Sequence, residues 1–377
     1  MRPRAAIVCR LVTGFGGATT IVLEQARRLA RAGWDVDVLA ARADAAAIKA
    51  SGARLVRLPH WPWGSHFKRK LFAGAAARAC AGRYDVVHGH GDDFICDLLS
   101  LHNCVHAAHE AIYGTALPTS DATGRFHERM LKTGRFKTLI ANSQLMKRDV
   151  VARFGVDASR VRVIYPGLRA DKFQFADRAR LRVGARQELG FSDDDIVIGL
   201  ITSGDFEKRG VPGFLAAFAK VEPAQSVRGL VMGKESRLAG YIDAARRAGL
   251  AERLRFRDAA ADVERYYHAC DIYAHPALFE EFGLSVLEAL ACGVPAVVGA
   301  RVGAAEILPE SFKAFVLETT SPDELAAKLS RLVRDEPLRL RLSADAAAAA
   351  LGHGWDCSFQ ETLGLYQAIL DQNGRGK

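Results

Sequence analysis

The sequence predicts an α/β protein built from two tandem, Rossmann-like, doubly wound units with a cleft between them. Three observations carry this prediction. Short apolar runs alternate with longer amphipathic stretches along the chain, the rhythm of parallel βα units. The rhythm breaks at Pro166-Gly167 and restarts at Ile196-Val197-Ile198. The 377 residues, 49% hydrophobic and 25% charged, are enough to build two cores.

In chain order, Ala5-Ala6-Ile7-Val8-Cys9 reads as a buried strand and Thr13 to Thr20 as a glycine turn. An amphipathic helix then runs from about Ile21 to Ala32, closed by Gly33. Further strands are expected at 34–39, 54–58, 85–88, 98–101, 138–141 and 161–165, with helices near 66–81, 126–133 and 144–154. Polar residues after Pro166-Gly167 predict an interdomain linker over about 166–190. The second series places strands at 196–201, 229–232, 254–256, 272–274 and 296–298. Its helices are expected at 211–220, 235–248, 262–269, after Gly283, at 321–334 and at 336–351. A last helix covers about 358–371. The expected division is 1–166, 167–352 and a terminal helix within 353–377.

Charge is unevenly spread. Residues 1–170 carry a net +13 and residues 171–377 a net −4. Clusters such as His66-Phe67-Lys68-Arg69-Lys70 suit an anionic partner, although any single one reads first as a solvated helix face. No apolar run reaches the roughly 20 residues of a membrane span, and Met1-Arg2-Pro3-Arg4 leads into a strand. A cytoplasmic protein is expected. The seven cysteines are odd in number and scattered without a Cys-x-x-Cys pair, so they read as reduced, mostly buried thiols.

The most informative stretch is His275 to Pro295. A strand ends at His275-Pro276, and Leu284, Leu287, Leu290 and Ala291 repeat at helical spacing until Gly293 and Pro295 stop them. The amides of Gly283, Leu284 and Ser285 then open a helix, a position that suits phosphate. Glu280 lies before that terminus and Glu288 a turn inside it, among apolar neighbours that demand a partner for a carboxylate.

The frame Glu280-x-Phe282-Gly283-Leu284-x-x-x-Glu288-Ala289-x-Ala291-x-Gly293-x-Pro295 resembles the nucleotide-sugar signature of the retaining family-4 glycosyltransferases. The resemblance implies a GT-B architecture and assigns roles. Glu280 contacts the donor sugar, the amides after Gly283-Leu284, with Ser285, hold the diphosphate, and Glu288 binds the ribose. Phe282 belongs to the same donor-binding frame. Glu281 departs from the family, which often has Gly there, and bears on sugar choice. Gly16 and Gly17 take the place of a Gly-Gly loop that faces the donor phosphates, and the last helix would cross back to the first domain.

As a dinucleotide fingerprint the same glycine turn is poor. It reads Gly-x-Gly-Gly, and the next strand ends in Ala40-Ala41-Arg42 without a ribose-binding acid, which argues against a dehydrogenase. In Thr202 to Val211, Lys208 and Arg209 sit in a βα loop where two cations would neutralise a leaving diphosphate, and Gly204 lets the backbone approach. The family carries a basic pair here. The wording Asp205-Phe206-x-x-x-Gly210-Val211 looks closest to its lipopolysaccharide core members.

His88-Gly89-His90-Gly91-Asp92-Asp93 reads by itself as the start of a metallohydrolase site, with Cys96, His102, Cys104, His106 and His109 near in sequence. Such hydrolases need His after the first Asp, and this chain has Asp93. By position within the family, His90 or Asp93, together with His102, instead face the reacting sugar and acceptor.

The implied activity is retaining transfer of a hexose from a nucleoside-diphosphate sugar to a hydroxyl of a saccharide or lipid-linked saccharide, in lipopolysaccharide or other cell-envelope glycan synthesis. Glu280, Lys208, Arg209, His102 and Asp93 are the catalytic candidates. No cofactor, metal or nucleic-acid partner is expected, and an anionic membrane surface is the expected further partner, placing the enzyme on the cytoplasmic face of the inner membrane. A nucleotide-sugar epimerase and a metal hydrolase at His88–Asp93 are the alternatives.

Overall fold

The computed structural model describes residues 2–14, 16–60, 65–133, 135–222 and 226–374. The chain forms two compact units, one of Met1–Gly167 with Trp355–Lys377 and one of Leu168–Gly354.

The sheet of the first unit is wholly parallel. From edge to edge it runs Arg54–Arg57, Asp35–Ala40, Arg4–Val8, Val86–Gly89, Leu98–Ser100, Thr138–Ala141 and Val161–Val163. Numbered along the chain, that is the order 3-2-1-4-5-6-7. Both faces are covered, which explains the lack of alternation in its strands: Ala5, Ala6, Ile7 and Val8 are all buried. The second sheet runs Leu254–Arg257, Val227–Lys234, Ile196–Gly204, Ile272–His275, Ala296–Gly299 and Val316–Leu317, the order 3-2-1-4-5-6. Each order reverses between strands 1 and 4, and in such sheets ligands bind outside the carboxyl ends of the strands at that switch point. In the first unit those ends lead into the glycine turn and His90. In the second they lead into Lys208-Arg209 and His275–Glu281.

Several elements differ from the sequence expectation. The first helix spans Gly17–Arg31, starting earlier than expected, because Gly16 in an extended conformation serves as its N-cap. The helices Ala45–Ala50 and Val105–Tyr113 escaped notice, the first because it is short and the second because its His-rich composition suggested ligands. The expected linker over 166–190 holds instead a helix, Arg178–Leu189. Its Arg178, Arg182 and Arg186 lie four residues apart on one face and all converge on Asp271, with Arg186–Asp271 at 2.6 Å. Where polar residues predict a linker, these arginines form a clamp within the second unit.

The terminal helix Trp355–Gly374 packs in the first unit, where Phe359, Tyr366 and Ile369 share a core cluster with Val22, Ala26, Leu29 and Trp34. Tyr366 meets Trp34 edge to face, with ring centroids 5.3 Å apart. Six of the seven cysteines are buried and all are free thiols, Cys357 being the exposed one. Among the described residues no helix is long and apolar enough to cross a membrane.

Candidate active site

In the second unit the loop after strand Ile196–Gly204 is shaped by its own backbone. Gly204 has φ +140° and pairs with Lys234 at a register shift; a Cβ there would lie 2.3 Å from the Lys234 carbonyl oxygen. This glycine is demanded by the sheet, whatever approaches it from outside. Asp205 follows at φ +56°, the one non-glycine in the left-handed region among the described residues, a conformation costing about 1 kcal/mol or more. Glu235 holds the loop by accepting from the Phe206 amide at 3.0 Å and the Arg237 amide at 2.9 Å. Sequence reasoning missed Glu235, which lies on the next βα turn and carries no local signal of its role.

That loop delivers Lys208 and Arg209 to the carboxylates after the fourth strand. Lys208 Nζ lies 2.8 and 3.1 Å from the two oxygens of Glu281, and Arg209 pairs with Glu280. Glu280 is fixed through its backbone, its amide donating to the Arg301 carbonyl and its own carbonyl accepting from the Gly303 amide. His275 Nε2 is 3.7 Å from Glu280, but burial pushes the His275 pKa down to about 3, so the ring is neutral and the contact is no ion pair. Tyr273 donates its hydroxyl to the Ile201 carbonyl at 2.7 Å and stacks on His275.

The helix Leu284–Ala291 begins beside these charges. Its N-cap is Gly283 at φ +101°, and no side chain caps it. A Cβ on Gly283 would press Val302 and Glu280 at 3.1 and 3.3 Å, so the glycine frees the helix terminus and leaves Glu280 room. Phe282 is buried, and its carbonyl accepts from the Ala304 amide, which ties the loop to the turn after strand Ala296–Gly299. One turn into the helix, Glu288 accepts from the Tyr267 hydroxyl at 2.8 Å. Burial pushes the Glu288 pKa up to about 7, against the lowering effect of Tyr267 and Lys172. Tyr267 is a second missed residue, brought to Glu288 only by packing.

In the first unit the carboxyl ends of the strands hold stacked histidines. His90 Nδ1 is 2.8 Å from His102 Nε2, and the His88 and His90 rings stack at 4.7 Å. Both ring nitrogens of His88 are taken up, by Gln25 and Tyr366 on one side and Ser100 on the other. Gln25 was also missed. Its signal was available: it sits between Val22 and Ala26 on the apolar face of its helix, where a polar side chain needs a partner.

His102 lines a pocket whose walls include Ile21, Ile140, Asn142, Ile164 and Phe359. His90 stands behind His102. Asp93 is not brought to this pocket: its carboxyl packs so close to Gly89 that a Cβ on that glycine would overlap it, and burial pushes its pKa up to about 7. Gly16, at φ −73°, would have open space around a Cβ, whereas Gly14 is the left-handed residue of the turn. The tight turn therefore accounts for Gly14 and leaves Gly16 and the helical Gly17 to another cause. Among the described residues no group of three or more His, Cys, Asp or Glu side chains is arranged to hold a metal ion.

Known proteins resemble this chain over both units. Residues 15–172 match the family model described as Glycosyltransferase Family 4, and residues 185–349 match the one described as Glycosyl transferases group 1. The D-inositol 3-phosphate glycosyltransferase of Salinispora tropica is 28% identical over 96% of this chain and 83% of its own length. That of Segniliparus rotundus is 29% identical over 79% of this chain and 70% of its own. Among solved structures, WaaG, a glycosyltransferase involved in lipopolysaccharide biosynthesis, superimposes with a TM-score of 0.81 at 19% identity, covering 95% of this chain and 98% of its own. Anabaena Alr3699/HepE in complex with UDP and glucose superimposes with a TM-score of 0.78 at 20% identity, covering 97% and 100%. Such likenesses place the fold as GT-B. With both units matched by glycosyltransferase models and the signature assembled in the second, the chain belongs to the family-4 glycosyltransferases.

Proposed function

We propose that the protein moves a hexose from a nucleoside-diphosphate sugar to a hydroxyl of an anionic saccharide or polyol, with retention of anomeric configuration. The observation that carries this reading is the convergence of Lys208, Arg209, Glu280 and Glu281 in front of the uncapped helix Leu284–Ala291, with Glu288 one turn on. Lys208, Arg209 and the amides of Leu284 and Ser285 stabilise the charge that grows on the departing diphosphate, electrostatic work of the kind that dominates such transfers. A diphosphate reaching the two cations competes with Glu281 and Glu280, which already neutralise them.

Glu280 then holds a hydroxyl of the donor sugar and Glu288 accepts from the ribose. His102, which lines the pocket of the first unit, serves the acceptor in this reading. The bond from the sugar carbon to the phosphate oxygen breaks as the acceptor hydroxyl bonds to the same face. The acceptor proton passes to a donor phosphate oxygen.

The net +13 of residues 1–170 and the likeness to D-inositol 3-phosphate glycosyltransferases both favour an acceptor bearing phosphate or another anion. An envelope glycan, including a lipopolysaccharide core, fits that chemistry, and the same charge suits a peripheral position on anionic lipid. The test is ligand-induced melting and donor hydrolysis across UDP-, GDP- and ADP-sugars with EDTA present, in wild type, Lys208→Ala and Glu288→Ala. Stabilisation by one nucleotide class, lost in both variants, is expected. Stabilisation that survives in both variants sinks the donor-site assignment. Transfer to inositol 3-phosphate against transfer to a lipid-linked saccharide then separates the acceptor classes.

A further inference from the structure

The segment by which the chain enters the second unit carries a cation towards Glu288. It is anchored where the Leu168 amide donates to the His353 carbonyl at 2.8 Å. The Arg169 carbonyl then accepts from the Lys172 and Phe173 amides at 2.9 and 3.0 Å. From this turn Lys172 Nζ donates to the Ala261 carbonyl at 2.5 Å and pairs with Glu264 at 3.2 Å. Ala261 lies in the turn that leads into the helix Glu264–Ala269, and Glu264 opens that helix. Three residues on, and so on the same face, Tyr267 donates its hydroxyl to Glu288 at 2.8 Å. Phe173 meets the same tyrosine directly, edge to face with ring centroids 5.9 Å apart, and Lys172 Nζ lies 5.4 Å from the centre of the Phe173 ring.

Two routes therefore run from this segment to Tyr267, one polar through Ala261 and Glu264 and one through the Phe173 ring. Lys172 also acts on Glu288 through its charge. The other titratable groups facing Glu288 are Tyr267, Tyr273 on the strand Ile272–His275, and Cys292 at the end of its own helix. Burial raises the pKa of all three, so they are neutral at neutral pH. Among the described residues Lys172 and Glu264 are the charged neighbours that remain, the first favouring the Glu288 carboxylate and the second opposing it. We propose that Lys172 is a positioning residue for the nucleoside half of the donor: it fixes the helix that carries Tyr267 and so sets Glu288 to accept from the ribose hydroxyls. Lys172 itself touches no substrate in this scheme. The proposal rests on the reading of Glu288 as the ribose-binding acid.

Two nucleotides separate the ribose contact from the rest of the site. They are whichever of UDP, GDP and ADP the wild type binds most tightly and its 2′,3′-dideoxy counterpart, each titrated calorimetrically into the full chain at a series of pH values. The ratio of the two affinities cancels the titration of the diphosphate and reports the hydroxyl contact. In wild type the ratio is expected to favour the ribonucleotide and to fall as pH drops through about 7, where Glu288 gains its proton. Lys172→Met is expected to cut the ratio roughly three- to tenfold at neutral pH and to move its midpoint to higher pH, with the dideoxynucleotide affinity little changed. Hydrolysis of the corresponding nucleoside-diphosphate glucose should show a raised KM with kcat little changed. Glu264→Gln removes the opposing charge and should move the midpoint to lower pH. Lys172→Arg keeps the charge and a donor for Ala261, and should retain most of the ratio. Lys172→Gln keeps a donor and loses the charge, so it should still move the midpoint to higher pH even if Lys172→Met folds poorly.

An unchanged ratio and midpoint in Lys172→Met overturn the proposal. Equal losses of both affinities in that variant also overturn it, as do midpoints that move the same way in Lys172→Met and Glu264→Gln, because each marks a structural disturbance that does not act through Glu288. Equal binding of the two nucleotides by wild type removes Glu288 from the ribose and the proposal with it. That failure is distinguished from the others because it shows before any substitution is made.

Discussion

Glu288 offers a quantitative test, because its two roles pull in opposite directions. Its side chain is half-buried and its pKa is raised from 4.5 to about 7, with desolvation as the main cause. Below pH 4.5 the group is protonated in both folded and unfolded chains and contributes no pH dependence. Between 4.5 and 7 the unfolded chain releases this proton first, so the folded state binds more protons and stability falls as pH rises. Above about pH 7 the full cost is present. At 1.36 kcal/mol per unit it amounts to about 3 kcal/mol as an upper figure. Glu288→Gln keeps an acceptor for the Tyr267 hydroxyl and removes the charge. The variant is expected to melt roughly 6–12 °C above wild type at pH 8, with the gap closing towards pH 4.5. Calorimetric scans of both proteins over pH 4.5 to 8 measure this. The same substitution should weaken binding of the preferred nucleoside diphosphate at pH 8, because ribose hydroxyls donate best to the ionised group. A variant no more stable than wild type at pH 8, with an unchanged pH slope, refutes the assignment of a desolvated carboxylate. A more stable variant with undiminished nucleotide affinity refutes only the ribose role.

Three other substitutions test separate parts of the structure. Glu281→Gln releases Lys208 from a pair at 2.8 Å and is expected to tighten nucleoside diphosphate binding roughly tenfold by titration calorimetry; weaker binding instead would show that Glu281 holds the ligand itself. Asp271→Ala leaves Arg178, Arg182 and Arg186 facing one another without their shared carboxylate. Denaturant melts should show a loss of about 3–5 kcal/mol, and a loss below 1 kcal/mol would contradict the clamp. His88 has its pKa lowered from 6.5 to about 3 by burial, so the unfolded chain gains a proton first as pH falls and stability drops progressively below about pH 6.5. His88→Asn should flatten that acid limb, and an identical limb in the variant would place the titrating group elsewhere.

The repeated βα alternation and the Glu280-to-Pro295 frame were enough to read the fold class and the family from the chain. Parallel strands buried on both faces appear as continuous apolar runs, and a phosphate-facing helix terminus needs its glycine and its acids at fixed local spacing. Both are short-range signals. Lys208 and Arg209 were legible for the same reason, as cations in a βα loop.

Partnership was decided only by tertiary structure, because the groups that meet lie far apart in sequence. Folding set Glu281 against Lys208, Tyr267 against Glu288 and Asp271 against three arginines from an apparent linker. It also withdrew Asp93 from the pocket while bringing His102 to its wall. Gly204 shows the division within one residue. The sequence marks it as a place where backbone can come close, and only the sheet reveals that the close neighbour is the Lys234 carbonyl. A local pattern specifies which chemistry is present. Which groups that chemistry acts upon depends on contacts between strands and helices brought together by burial, and these leave no periodic trace in the chain.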